Sequence, residues 1–191
     1  MEKGIDPRQV ATYLTQNGLV VGKEKEAYCL IFMCCGSAIN EIPISLELRK
    51  RGVDISREIY FDRFIDESTI ANLSNHANTH VSRQIVTSVD ALETILVKTR
   101  QPCIVIGVNA SFIFYTRDEA YRYHAFFSLC NRLSKENVCQ DKWINILDGS
   151  NGDYSKLPCI DDCGHIRVYS TSWWTYANHT LSNWEILLGK R

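Results

Sequence analysis

The stretch between Cys103 and Asp148 constrains the fold of this chain more than any other part of it. It opens with CIVIGV (Cys103–Val108), and a short break, Asn109-Ala110-Ser111, leads to FIFYT (112–116). A charged RDEA turn, YRYHAFF (121–127), a polar loop and WINILDG (143–149) follow. Four β-branched and aromatic runs separated by turn chemistry read as successive strands of a largely antiparallel sheet.

The preceding half reads differently. Asp6-Pro7 has the chemistry of a helix start, with Val10, Leu14 and Tyr13 as the apolar stripe and Asn17-Gly18 as the stop. EKEAYCLIFMCC (24–35) is apolar without a break from Ala27 to Cys35, so its period does not separate a buried helix from a buried strand. Its charged lead-in and its length favour a central helix. LELRKRG, after Pro43 and Ser45, reads as a short helix, and DISREIYFDRFID (54–66) as another. ESTIANLSNHANTHVSRQ (67–84) is polar and Asn-rich, an irregular surface excursion suited to a lid or a partner contact. DALETILVKT, capped by Ser88 and halted before Gln101-Pro102, is a clearer helix. Late in the chain, CIDDCG is a polar connection and HIRVYS (165–170) a further strand. The aromatic tail with Trp173, Trp174, Tyr176 and Trp184 reads as terminal helix. Helices first and strands later give a single α+β domain over residues 1–191, its helical N-terminal half packed on a largely antiparallel sheet.

At 191 residues with 45% hydrophobic content, the chain is long enough to bury a core without cross-links. Twenty-one basic residues against 22 acidic ones leave a net charge of -1, so no basic surplus points to nucleic acid. The N-terminal residues lack the apolar core of a signal peptide, and no apolar run reaches a membrane span. Eight cysteines raise the disulfide question. Cys29, Cys34, Cys35 and Cys103 lie in or beside apolar runs, where a reduced thiol acts as a small hydrophobe. A reducing, intracellular setting follows as the expectation.

One constellation has the order of a cysteine hydrolase, which needs a thiolate, an imidazole base and a group that orients the imidazole. Cys29 opens the expected central helix, where the helix dipole lowers a thiol pKa. His124 lies in YRYHAFF, and Asp148 ends WINIL. The bland alternatives are a buried filler thiol, a structural histidine and an ordinary turn aspartate. A rival metal site draws on Cys159, Cys163 and His165 with Cys139 as a fourth ligand, although the spacing matches no standard zinc pattern. His76-x3-His80 is weaker, since its surroundings are poor helix material. No Gly-rich phosphate fingerprint follows CIVIGV, so no cofactor is expected.

The order of these elements resembles the papain-like deubiquitinating domain of herpesvirus large tegument proteins, carried by CIVIGVNASFIFYTRDEAYRYHAFFSLCNR and by the late GHIRVYSTSWWTYANHTL. The resemblance implies a papain-like fold, a viral origin, a ubiquitin-like or host protein as partner, and Cys29 as the nucleophile. It also implies a missing base, because the family's Phe-Asp-x-His falls on Phe127-Ser128-Leu129-Cys130. Two readings follow: an interaction or scaffold domain without catalysis, or an active thiol hydrolase or deamidase using Cys29, His124 and Asp148.

Overall fold

A computed structural model describes residues 5–18, 20, 27–62, 65, 67–76, 80–108, 110, 117–140, 142–148, 159–162 and 166–172. These form one seven-stranded sheet with helices on both faces. The elements in chain order are α1 (Pro7–Gln16), β1 (Tyr28–Met33), α2 (Glu41–Lys50), β2 (Ile55–Phe61), α3 (Glu67–Asn75), β3 (Ser82–Val86), α4 (Val89–Thr99), β4 (Cys103–Val108), α5 (Arg117–Lys135), β5 (Lys142–Asp148), β6 (Cys159–Asp162) and β7 (Ile166–Ser172).

The strand order is β3-β2-β1-β4-β5-β7-β6. The first five of these strands run parallel, and β7 pairs antiparallel with both β5 and β6. The expectation of an α+β, largely antiparallel and papain-like sheet is therefore corrected to a doubly wound parallel sheet with an antiparallel edge.

The physical reason lies in the centre of the sheet. All six residues of β1 and all six of β4 are buried. A parallel strand covered by helices on both faces has no polar side to reveal its two-residue period. YCLIFM is such a strand, and the same holds for the upper part of β2, where Glu58, Ile59, Tyr60 and Phe61 are all buried. The helices expected at both segments are therefore corrected to strands.

The opposite correction applies to YRYHAFF, which lies within the 19-residue helix α5. Its buried residues Tyr123, Phe126, Phe127, Cys130 and Leu133 recur at helical spacing. Their aromatic, strand-favouring character had outweighed that period. The Asn-rich segment holds α3 and β3 rather than an irregular excursion, and CIDD is a strand.

Other elements stand where their local chemistry put them. Asp6 caps α1 by accepting from the Arg8 amide at 2.9 Å, and Ser88 caps α4 through the Ala91 amide at 3.2 Å. FIFYT and the aromatic tail lie outside the described residues.

The core divides into two layers. On one face, Cys29, Ile31, Met33, Ile59, Phe61, Cys103 and Val105 pack with α4 and α5. On the other, Leu30, Phe32, Tyr60, Ile104, Ile106, Ile144 and Ile146 pack with α1, α2 and Leu73 of α3. The chain leaves β1 toward β2 and β3, then returns through α4 to place β4 on the other side of β1. The order therefore reverses between β1 and β4, and in open α/β sheets ligands bind beyond the carboxyl ends of the strands at such a reversal. Among the described residues no helix is long and apolar enough to cross a membrane.

Candidate functional site

The turn after β1 stands at this reversal and carries an unusual backbone. Cys34, Gly36 and Ala38 have φ of 56°, 47° and 58°. Only glycine adopts such angles freely, so two of these three residues hold conformations that cost of order 1–3 kcal/mol each. The surroundings enforce them. The Cys34 amide donates to the Phe61 carbonyl at 2.9 Å, and the Ala38 amide donates to the Cys35 carbonyl at 2.7 Å.

Side chains grip the same turn from two neighbouring elements. Asp62, just past β2, accepts the Gly36 amide on Oδ2 at 2.8 Å. From α3, Thr69 Oγ1 donates to the Gly36 carbonyl at 2.7 Å and Asn72 Nδ2 to the Ser37 carbonyl at 2.8 Å. A Cβ built on Gly36 would meet nothing within 4 Å among the described residues. The turn is thus pinned from behind and open in front.

The electrostatics are concentrated here too. Glu41, at the start of α2, is only 3% exposed, and burial pushes its carboxyl up to about 8, against the partial relief of the Asn40 and Glu41 amides. Asp62 adds a like charge that raises Glu41 further. The Cys34 thiol is pushed up to about 12 by burial, although the Tyr123 hydroxyl of α5 donates to it and opposes the shift. On β5, Asn145 is fully buried, donates from Nδ2 to the Ala110 carbonyl at 3.2 Å and leaves Oδ1 without a partner among the described residues.

The residues singled out in the sequence are spread across the molecule. Cys29 lies at the amino end of β1 with no exposed surface, and burial pushes its thiol up to about 12. It begins no helix, so no helix dipole lowers that value. It pairs with Cys103, whereas Ile106 already pairs with Ile144. Asp148 therefore stands about seven residues further toward the carboxyl edge, a separation of roughly 20 Å. His124 is half-buried on α5. Its neighbour Tyr123 reaches Cys34 beyond the far end of β1, which places His124 toward that end as well. Cys29 is not brought together with the other two.

Of the metal candidates, Cys163 and His165 lie outside the described residues. His76 and His80 sit in turns beyond α3, not on a shared helix face. Among the described residues no group of three or more His, Cys, Asp or Glu side chains is arranged to hold a metal ion.

Neither a family model nor a curated protein sequence matches the chain. Solved structures do. One structure of the rRNA methyltransferase aviRa from Streptomyces viridochromogenes aligns at 11% identity over 95% of this chain and 89% of that one, with a TM-score of 0.51. A second structure of it gives 12% identity, 91% and 88% coverage, and a TM-score of 0.49. SMU.776, a protein assigned as a methyltransferase and complexed with SAH, aligns at 13% identity over 86% of this chain and 48% of that one, with a TM-score of 0.47. The fold is Rossmann-like. At such identities the likeness speaks for the fold alone. It overturns the resemblance to the tegument deubiquitinating domain, and with it the papain-like scaffold and thiol-hydrolase readings built on that fold.

The pinned turn is hard to see in the sequence, because CCGSA carries a single glycine and matches no fingerprint. A signal was nonetheless present. An apolar run stops at Gly36-Ser37, a helix-compatible stretch follows, and a second apolar run ends at Asp62, the strand-turn-helix-strand order of a doubly wound half.

Proposed function

We propose that the chain binds S-adenosylmethionine at the carboxyl edge of its sheet and acts as a methyltransferase. The observation that carries this reading is the strained turn at Cys34–Ala38, pinned by Asp62, Thr69 and Asn72 at the point where the strand order reverses. Backbone strain held in place by its surroundings is a mark of ligand sites. The methyltransferase likeness of the aviRa fold supports the choice of ligand class.

The residues present fit an adenosyl group. A carboxylate at the end of the second strand is placed to accept from ribose hydroxyls, and Asp62 holds that position while it fixes the Gly36 amide. Open space over Gly36 admits close approach of a ligand to the backbone. The orphaned Asn145 oxygen, buried beside β4, is an acceptor suited to an amino group. When bound, S-adenosylmethionine supplies a methyl group activated on a sulfonium. The chain's own contribution is to hold and orient: the turn backbone and Asp62 fix the ligand, and the Tyr123–Cys34 contact braces the turn from the α5 side.

The test is titration calorimetry with S-adenosylhomocysteine, the demethylated product, with NAD as the competing nucleoside ligand. Asp62→Ala removes a charged hydrogen-bond acceptor and the Gly36 pin together, and is expected to weaken binding by about 10–100-fold, from the ~1.5–3 kcal/mol typical of hydrogen bonds to charged groups. Absence of S-adenosylhomocysteine binding by the folded protein, or a preference for NAD, would sink the reading.

A further inference from the structure

A second concentration of reactive groups lies at the opposite, amino edge of the sheet, and the proposed ligand site does not use it. Cys103 begins β4, and Cys139 sits between α5 and β5. Their backbones form an isolated parallel bridge. The Cys103 amide donates to the Val138 carbonyl at 2.7 Å, and the Gln140 amide donates to the Cys103 carbonyl at 3.1 Å. Bridged neighbours of this kind stand about 4.8 Å apart, inside the ~4.4–6.8 Å Cα range of disulfides.

The side chains converge as well. The two sulfurs are 2.6 Å apart, about half an ångström beyond a covalent S–S bond of ~2.05 Å. Cys130 of α5 hydrogen-bonds Cys139 from a third direction, and Cys29 lies near enough to be felt by both Cys103 and Cys139. Cysteines serving only as small hydrophobes have no reason to point their sulfurs at one another. Metal capture is a poor account, because no metal-holding group of three is found among the described residues.

We propose that Cys103 and Cys139 are a disulfide-forming pair, closed by small disulfides of the oxidised-glutathione class. Cys139 accepts hydrogen bonds from both Cys103 and Cys130 and keeps 6% of its surface exposed, against 1% for Cys103 and none for Cys130, so it is the sulfur a small disulfide reaches first. Its thiolate attacks one sulfur of the small disulfide, forming a mixed disulfide and expelling one small thiolate. The Cys103 thiol gives its proton to that thiolate and attacks the Cys139 sulfur of the mixed disulfide. The protein S–S bond forms and a second small thiolate leaves, taking its proton from water. Two protein thiols are oxidised by two electrons, and one small disulfide becomes two thiols. The bond ties the start of β4 to the approach of β5, across a sequence separation of 36. Such a cross-link constrains the unfolded chain and is expected to raise the Tm by about 5–10 °C.

The experiment incubates the whole chain with oxidised glutathione, blocks remaining thiols with N-ethylmaleimide, and maps peptides without reduction. The expected result is one peptide pair linked through Cys103 and Cys139, reversed by dithiothreitol and still formed in Cys130→Ser. It should vanish in Cys139→Ala, and the Tm gain should accompany the link. Absence of the Cys103–Cys139 peptide, whatever other pairs form, overturns the proposal. So does a predominant Cys130–Cys139 link in the unmutated chain.

Discussion

Glu41 shows how one buried carboxyl at the site feeds back on stability. Its pKa in the folded state is raised from the ordinary 4.5 to about 8, chiefly by burial. The unfolded chain releases this proton near its ordinary value, whereas the folded chain keeps it. Stability is therefore fully present below about 4.5, declines as pH rises through the folded value near 8, and levels off above it. Glu41→Gln removes the titration. Urea unfolding at pH 5 and pH 9 should show the variant about equal to the parent at the lower pH and more stable by ~2–4 kcal/mol at the higher one. Equal stability at both would mean that the carboxyl finds partners when ionised. Cys29 makes a companion case. A thiol with no exposed surface and a pKa near 12 should resist iodoacetamide at pH 8 in the folded protein. Mass-mapped labelling at Cys29 before any denaturant is added would contradict that placement. Cys29 was legible as an apolar residue, and a chemical role for it was not, because thiol reactivity depends on exposure and field rather than on local sequence.

At the scale of elements, β2 and β3 share a buried polar knot. Glu58 is fully buried and accepts from Tyr60, Ser45 and Arg83. Glu58 and Arg83 are direct partners in the sheet register, with their charged atoms 2.6 Å apart. Arg83→Met strands the carboxylate and is expected to cost about 3–5 kcal/mol, whereas pairing it with Glu58→Met restores most of the loss. Denaturant melts of the single and double variants test this, and an additive double variant would refute it. The knot also bears on legibility. SREIYF carries an arginine and a glutamate beside its apolar residues, which favours a helical reading of β2. The buried Glu58 is tolerated in a strand because Arg83 arrives from β3, a long-range partner no local pattern announces. α5 failed in the other direction, since Tyr123, Phe126 and Phe127 favour strands by type while their spacing is helical. Capped helices such as α1 and α4 were readable, because a cap is local chemistry.

For the molecule as a whole, the distinguishing feature is the reversal of strand order beside β1. Strand order is set by which face each crossover helix covers, and only a right-handed crossover packs back onto the sheet. Hydrophobic runs in sequence carry no record of that choice. For this reason CIVIGV and WINIL were recognised as strands while their parallel pairing was not. The same reversal gathers residues far apart in the chain, Gly36, Asp62, Thr69 and Tyr123, at one edge, and leaves the Cys103–Cys139 pair at the other. Amide chemical-shift mapping with S-adenosylhomocysteine tests this arrangement most directly. Shifts concentrated on Gly36, Ser37, Ala38 and Asp62, with Val53 and His80 at the amino edge unmoved, are the expected result. No saturable shift, or shifts centred on the amino edge, would contradict a ligand site at the carboxyl ends of β1 and β4.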